Sequence, residues 1–147
     1  MRISVKARYG LGAMVYLSQY YGTGENITVQ KMSDSLNISK IYLEQVFSLL
    51  RHADLVVAVK GAQGGYRLSR PPEEITAYDI LLAIESALFE NPEPVFTTYS
   101  EIEEVLQTAI FAQLDEKIKN TLVKITLADL SSMLKEKLSN DGYMYYI

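Results

Sequence analysis

The chain has 147 residues, with 14 Lys and Arg against 18 Asp and Glu, one histidine and no cysteine. This length suits a single ordinary core. The lack of cysteine excludes disulfides, thiolate catalysis and Cys-based metal sites, and a single histidine argues against a His-based one. We therefore expect no cofactor and no metal. Apolar runs fall far short of the roughly 20 residues of a spanning helix, and the first residues lack a secretion signal, which predicts a cytoplasmic protein with no membrane contact.

The net charge of −4 divides into two halves of opposite sign. Residues 1–70 hold nine Lys and Arg against four acids, whereas residues 71–147 hold five Lys against fourteen acids, so the halves carry +5 and −9. A basic N-terminal half is what binding to a polyanion such as nucleic acid requires. A chance asymmetry on solvated surfaces is the alternative that the charges alone leave open.

The first predicted elements are two helices. Apolar residues at mixed spacings of three and four predict a helix from Ile3 to about Tyr21, ended by Gly22-Thr23-Gly24. Thr28 has the side chain of an N-cap, and the residues after it predict two helical turns that end at Leu36, before a turn at Asn37.

A longer helix follows, capped by Ser39 and running to about His52. Its apolar residues are Ile41, Leu43, Val46, Phe47, Leu49 and Leu50, and its outward residues are Lys40, Tyr42, Gln45 and Ser48. A short helix, a tight turn and a longer helix form a helix-turn-helix. Its second helix would lie in a DNA major groove, and the side chains directed at base edges would be Ser39, Lys40, Tyr42 and Gln45.

A glycine-rich basic hairpin comes next. Leu55–Val59 has the β-branched composition of a strand, and Tyr66–Ser69 alternates as a returning strand. The turn contains Gly61, Gly64 and Gly65, while Lys60, Gln63 and Arg67 supply cationic and amide donors. Its position directly after the helix-turn-helix predicts a DNA-binding wing.

Three more helices are predicted after Pro71-Pro72. Thr76 and Asp79 open a helix that runs to about Leu88, and Asn91-Pro92-Glu93-Pro94 forms a boundary. A long helix runs from Ser100 to about Val123, with Glu103 placed to complete a capping box. The last helix starts at Thr126-Leu127-Ala128-Asp129 and runs to about Leu138.

The long helix carries an apolar stripe, formed by Ile102, Val105, Leu106, Ala109, Ile110, Gln113, Leu114 and Ile118. A small body offers little surface to cover such a stripe, so we expect it to pair with a second subunit. Packing against the first helix is the alternative. The predicted organisation is a winged helix-turn-helix over residues 1–88, a linker over 89–99, dimerisation helices over 100–138 and an apolar tail over 139–147. The fold class is mainly α with a small β-hairpin and a long C-terminal dimerisation helix.

Five motifs in this order resemble the Rrf-two family of winged helix-turn-helix transcription regulators, and most closely its branch of cysteine-metabolism repressors. The motifs are Ser4–Leu11, Tyr42–Gln45 with Leu50-Arg51, Gly61–Leu68, Glu74–Ile80 and Ile125–Leu130. The resemblance implies a homodimer that places one winged helix-turn-helix on each half-site of a palindromic operator in double-stranded DNA.

The resemblance also implies roles for individual residues. Lys60 and Gly61 would enter the minor groove, and backbone phosphates would be held by Arg2, Ser4 and Thr28. The chain departs from the family at three places. Lys60 stands where arginine is more usual, Asp54 replaces a glycine before the wing, and the loop 89–95 lacks the three cysteines with which some members bind an iron–sulfur cluster. Cluster sensing is therefore excluded on ligand chemistry.

The C-terminus combines a polar segment, Ser139–Gly142, expected to be flexible, with the apolar residues Tyr143–Ile147. An apolar terminus needs burial. The tail resembles that of the cysteine-metabolism repressors, which implies that cysteine synthase receives it through Tyr145, Tyr146 and Ile147. Docking of the tail on its own dimer is the alternative.

An enzyme is not supported, because no serine has a histidine or cysteine partner and the acids form no paired-carboxylate pattern. The sequence thus predicts a sequence-specific DNA-binding repressor of sulfur and cysteine metabolism genes, controlled through its tail. The alternative is a winged-helix protein-interaction module without sequence-specific DNA binding.

Overall fold

A computed structural model describes residues 3–144 of the chain, with side chains through residue 141. Within that range, every helix is too short or too polar to cross a bilayer. The elements in chain order are α1 (Val5–Ser18), α2 (Val29–Leu36), α3 (Lys40–His52), β1 (Val56–Val59), β2 (Gly65–Leu68), α4 (Ala77–Ile84), α5 (Ser100–Leu106), α6 (Ala112–Leu122) and α7 (Leu127–Met144), with 3₁₀ turns at Pro72–Glu74 and Ser86–Phe89 and a π-helical turn at Gln107–Phe111. The predicted fold class is confirmed.

The helix-turn-helix forms where the sequence predicts it. Thr28 and Ser39 are the N-caps of α2 and α3, and Asn37 ends α2 in the left-handed conformation at φ 53°. The first helix is shorter than expected, because Ser4 caps it through a 3.1 Å hydrogen bond and its C-terminus gives way to tight turns after Ser18.

The wing, residues 56–68, is an antiparallel hairpin in which Val56 pairs with Leu68 and Val59 with Gly65. Ile27, just before α2, pairs with Tyr66 on the other edge of β2 through backbone bonds of 2.9 and 2.7 Å. Gly65 permits this approach, since it has φ +144° and a Cβ there would lie 2.6 Å from the Ile27 backbone. The wing is therefore joined to the start of the helix-turn-helix.

One core lies between the helix-turn-helix, the wing and α4. Its side chains are Ala7, Ala13, Met14, Leu17, Ile27, Met32, Leu43, Val46, Phe47, Leu50, Leu55, Val56, Leu68, Ile75, Ile80, Leu81, Ile84 and Leu127. One expectation on α3 needs correction. Ile41 is 70% exposed instead of buried, because it lies on the side of α3 opposite to the buried Leu43, Val46, Phe47 and Leu50. Tyr66 packs on Phe47 with ring centroids 4.8 Å apart, so its ring faces the core.

The helix α4 ends at Ile84, before the predicted Leu88. The backbone turns at Glu85, with φ −134° and ψ 68°, into a 3₁₀ turn. This turn lets the Phe89 ring pack edge-on against Tyr78 at 4.9 Å. The capping box of Thr76 and Asp79 is formed as expected, with bonds of 2.9 and 3.1 Å.

The predicted long helix is present from Ser100 to Leu122, but it is interrupted by the π-helical turn at Gln107–Phe111. The expected capping box is absent, because Tyr99 is the N-cap and offers no side-chain bond. Glu103 instead accepts the backbone N–H groups of Val95 and Phe96 at 2.6 and 2.7 Å, which ties the preceding loop to α5.

The last helix, α7, starts with a second capping box, in which Thr126 and Asp129 exchange two 3.0 Å bonds. It packs against α1, where Gln19 Nε2 lies 3.5 Å from the buried Ser131 Oγ. It runs to Met144, so the segment expected to be a flexible tether is helical as far as the structure describes it. The segment lacks a proline, and its one glycine costs a helix only about 1 kcal/mol.

Candidate nucleic-acid interface

The outward face of α3 is exposed and rich in hydrogen-bonding groups. Lys40, Gln45 and Ser48 are all exposed, as the sequence predicts. Ile41 and Glu44, which the sequence reasoning did not assign to this face, are exposed with them. The face thus presents an ammonium, an amide, a hydroxyl, a carboxylate and an apolar group, which are the functional groups that read base edges in a major groove.

Tyr42 is positioned differently from its neighbours on α3. It is half-buried, and its ring makes an edge contact with the Tyr9 ring at a centroid distance of 5.4 Å. This contact fixes the first turn of α3 against α1. The Tyr42 ring is consequently held by packing, which leaves its hydroxyl as the group available for a polar contact.

Three of the predicted contact residues are helix N-caps. The side-chain oxygens of Ser4, Thr28 and Ser39 accept the backbone N–H three residues further on, at 3.1, 3.0 and 3.4 Å. Each hydroxyl still has its own hydrogen to donate. Helix N-termini attract anions through their free N–H groups and dipole, so three such positions suit the phosphates of a nucleic-acid backbone.

The tip of the wing carries the remaining predicted residues. Lys60, Gln63 and Arg67 are exposed, and no ion pair to Lys60 or Arg67 is formed within the described residues. Gly61 has φ +105° with open space where a Cβ would lie, so the backbone at the tip is free of side-chain bulk. A narrow DNA minor groove can admit a backbone tip without bulk, and it attracts cations such as Lys60 and Arg67.

Asn26 is a residue that the sequence reasoning missed. Its Nδ2 donates to the Gln63 carbonyl at 3.0 Å, which links the wing tip to the segment before α2. Its Oδ1 is buried and has no partner within the described residues. Because Ile27 already pairs with Tyr66, the wing is held to the helix-turn-helix at two neighbouring points. The sequence offers no signal for this contact, since it joins residues far apart in the chain.

Lys31 is a second missed residue, in the first turn of α2. Its Nζ lies 4.6 Å from the centre of the Tyr20 ring, and contact with the Tyr20 hydroxyl raises the pKa of Lys31. Tyr16 bonds both Ser35 and Tyr20, at 3.0 and 3.3 Å. Burial pushes the pKa of Tyr16 upward, but these two bonds and the Lys31 charge leave it below its ordinary value. The Lys31 ammonium is thus positioned by Tyr20 in the first turn of α2.

Four predicted site residues lie outside the described residues: Arg2, Tyr145, Tyr146 and Ile147. The structure therefore bears on the α3 face, the three N-caps and the wing, and those groups belong to one continuous unit of the fold. A face of this kind suits DNA.

The comparisons with known proteins agree with this geometry. The family model described as Rrf2, iron-dependent transcriptional regulator, matches residues 3–133. The chain belongs to the Rrf2 family. It is similar to the HTH-type transcriptional regulator CymR of Bacillus subtilis, with 36% identity over 147 residues and the whole of both chains. It is also similar to IscR of Cereibacter sphaeroides, with 42% identity over 89 residues, 60% of this chain and 57% of that protein.

Solved structures of relatives share the fold. The structure of CymR, described as the global cysteine regulator of B. subtilis, has a TM-score of 0.75 and 34% identity, over 90% of this chain and 98% of that one. IscR of T. potens has a TM-score of 0.72 and 33% identity, over 99% and 97%. The protein is thus a DNA-binding transcriptional regulator of the Rrf2 type, and its relatives are named as regulators and not as enzymes.

The family description names iron, and the residues present do not fit an iron–sulfur cluster. The sequence has no cysteine. One oxygen of Glu103, in α5, already accepts two backbone N–H groups of the preceding loop. Across the described residues, no three His, Cys, Asp or Glu side chains come together as metal ligands.

Proposed function

We propose that this regulator binds a palindromic operator as a homodimer, with α3 in the major groove and the wing in the adjacent minor groove of each half-site. The observation that carries the proposal is the exposed α3 face, flanked by a basic wing tip that Asn26 and Ile27 hold beside it. A bipartite reader of this kind contacts bases and phosphates together.

In this proposal the contacts divide by their chemistry. Base edges are read by Ser39, Lys40, Tyr42 and Gln45, and the exposed Ile41 adds an apolar contact that suits a thymine methyl group. The wing contributes Lys60, Gly61, Gln63 and Arg67. Phosphates are held by Arg2, Ser4 and Thr28, with Lys31 as an additional cation.

The dimer in this proposal uses the apolar stripe of α5 and α6. Ile102, Val105, Ile110 and Leu114 are exposed, together with the neighbouring Phe111. Among the described residues, the main contacts of α1 are with α2, α3, α4, α7 and β2, so the alternative in which the long helix packs on α1 finds no support there. A stripe of this size left in water favours association with a second copy.

We further propose that the regulator represses genes of cysteine metabolism and that cysteine synthase controls it through the C-terminal tail. The full-length similarity to a protein described as a global cysteine regulator supports the regulon. The tail hypothesis rests on the sequence of Tyr145, Tyr146 and Ile147. Tail docking on the regulator's own dimer remains the competing outcome of its test.

The test is selection of bound duplexes from a random pool, with and without cysteine synthase, using the full-length chain and a variant that lacks Tyr146 and Ile147. We expect enrichment of a palindrome, and a gain in affinity from cysteine synthase that the shortened variant loses. In a pull-down of cysteine synthase, equal capture by the full-length chain and the shortened variant would refute the tail hypothesis. Salt-sensitive binding without sequence preference would favour the protein-interaction module instead.

A further inference from the structure

Arg70, one of the nine cations of residues 1–70, makes hydrogen bonds and an ion pair with other residues of the chain. Its Nε donates to the Glu74 carbonyl at 2.9 Å and its Nη1 to the Asp54 carbonyl at 3.4 Å. Its Nη2 lies 3.5 Å from Asp79 Oδ2, and the side chains of this ion pair are 35% and 34% exposed. The planar guanidinium spreads its donors over three nitrogens and so reaches three separated acceptors, whereas the three donors of a lysine ammonium all lie on one nitrogen.

The partners of Arg70 lie on the two sides of a joint, which is the place where the base of the wing meets the start of α4. Asp54 lies two residues before β1, and its carbonyl also accepts the hydroxyl of Ser69, the residue after β2, at 2.6 Å. Both ends of the wing therefore meet at one carbonyl oxygen, which Arg70 contacts. Glu74 and Asp79 belong instead to the 3₁₀ turn and to the first turn of α4.

The α4 side of this joint continues to the C-terminal helices. Thr76 and Thr126 form a backbone bridge between the starts of α4 and α7. The bridge is closed by bonds from Ala77 N–H to the Ile125 carbonyl at 2.8 Å and from Leu127 N–H to the Ile75 carbonyl at 2.7 Å. Arg70 thus connects the base of the wing to the junction between α6 and α7.

We propose that Arg70 is a positioning residue for DNA binding, which fixes the angle of the wing on α4 without contacting DNA itself. The inference rests on the proposed function of the wing. A two-stranded hairpin is marginal by itself, so its direction depends on contacts outside its two strands. Asn26 and Ile27 hold the wing beside α2, and Arg70 holds its base. Strands of this length extend about 13 Å, so a tilt of about 10° at the base moves the tip by about 2 Å.

The first test compares Arg70→Gln and Arg70→Lys with the wild type on a duplex selected as above. We expect Arg70→Gln to lower the affinity about tenfold, with partial recovery in Arg70→Lys. The slope of affinity against salt stays unchanged, because Arg70 releases no phosphate counterion. In Lys60→Ala the slope falls by about one unit per half-site. A loss of slope in Arg70→Gln equal to that in Lys60→Ala would place Arg70 on a phosphate and overturn the proposal.

The second test uses the two capping boxes as a matched pair. Asp79 and Asp129 accept the same kind of threonine N–H bond, but the ion pair to arginine is recorded for Asp79. We expect Asp79→Asn to weaken DNA binding as Arg70→Gln does, and Asp129→Asn to leave it unchanged. Equal losses in both variants contradict a special role for the Arg70 contact.

The third test needs no DNA and separates this inference from the proposed function. Hydrogen exchange of the free protein should be about tenfold faster at the wing amides, residues 56–68, in Arg70→Gln, with α3 unaffected. Unchanged exchange at the wing overturns the positioning role, whatever the DNA result. If wing exchange is faster in Arg70→Gln but the wild-type protein selects no operator, the result counts against the proposed function alone.

Discussion

At the residue scale, three hydroxyls proposed to contact DNA already stabilise helix ends. Ser4, Thr28 and Ser39 each accept a capping hydrogen bond, so replacing one by alanine removes a cap worth about 1 kcal/mol as well as a DNA contact. Side chains without such internal bonds give cleaner tests. Gln45 on α3 and Lys60 on the wing are both exposed and make no hydrogen bond or ion pair among the described residues.

Gln45→Ala should relax base preference at one position of each half-site. If the amide contact is bidentate, the loss of discrimination is about 1–3 kcal/mol, measured by competition between the operator and single-base variants. Lys60→Ala is the contrasting variant, and it should weaken all duplexes to a similar extent. An unchanged base preference in Gln45→Ala would show that the assignment of Gln45 is wrong.

Asp54 occupies a left-handed conformation, with φ 58°, at the position where the family usually has glycine. Asp54→Gly should keep the unfolding free energy within about 1 kcal/mol, because relief of backbone strain offsets the entropy that glycine loses on folding. Asp54→Val should cost about 1–3 kcal/mol, since a β-branched side chain is strained there. Urea unfolding checks both, and a valine variant as stable as the glycine one would contradict this account.

At the element scale, the α5–α6 segment has an apolar face that the described chain leaves in water. Leu114 is 51% exposed. Leu114→Glu should abolish the dimer in sedimentation while leaving the subunit folded, with a lower unfolding temperature because the stabilisation by dimerisation is lost. Affinity for a full palindrome should fall about 100-fold or more, because the two half-sites are no longer linked. Leu114→Met, which preserves an apolar group of similar volume, should stay dimeric. A dimeric Leu114→Glu protein would exclude this face as the interface.

The capping box of α7 predicts a defined pH dependence. The Thr126 backbone N–H, followed by its hydroxyl, lowers the pKa of Asp129 below its ordinary value. Stability from this bond is therefore complete above the unfolded-state pKa, about 3.9, and is lost as the pH falls through the lower folded-state pKa. Asp129→Asn should lose more stability near neutral pH than in acid, as urea unfolding at both pH values can measure. A deficit that is independent of pH would contradict the shift.

At the scale of the whole molecule, the division of charge governs how the protein meets DNA. The basic half coincides with the α3 face and the wing, and the acidic half with the C-terminal helices. Four proposed cations outside the base-reading face, Arg2, Lys31, Lys60 and Arg67, act at each of the two half-sites. The expected slope of log affinity against log salt is about −7, which means a loss of about 10⁴-fold between 50 and 200 mM salt. A slope near −2 would contradict the proposed contact set.

The sequence predicts local structure well wherever a few neighbouring residues decide it. The caps at Thr28 and Ser39, the turn at Asn37 and the box at Thr76 all form as expected, because each depends on a side chain and a backbone group within three residues. The box expected at Ser100 does not form. There Glu103 has competing backbone donors in the preceding loop, which the local pattern does not reveal.

By itself, the sequence determined the winged helix-turn-helix, the basic character of its N-terminal half and the absence of thiol ligands, because these depend on local propensity and composition. Only the tertiary structure decided which groups remain available. It directs Tyr66 to Phe47, leaves Ile41 in water, ties Asn26 to the wing tip and engages Arg70 with the Asp54 and Glu74 carbonyls and with Asp79. These outcomes depend on contacts between distant parts of the chain, and the periodicity of one segment carries no information about them.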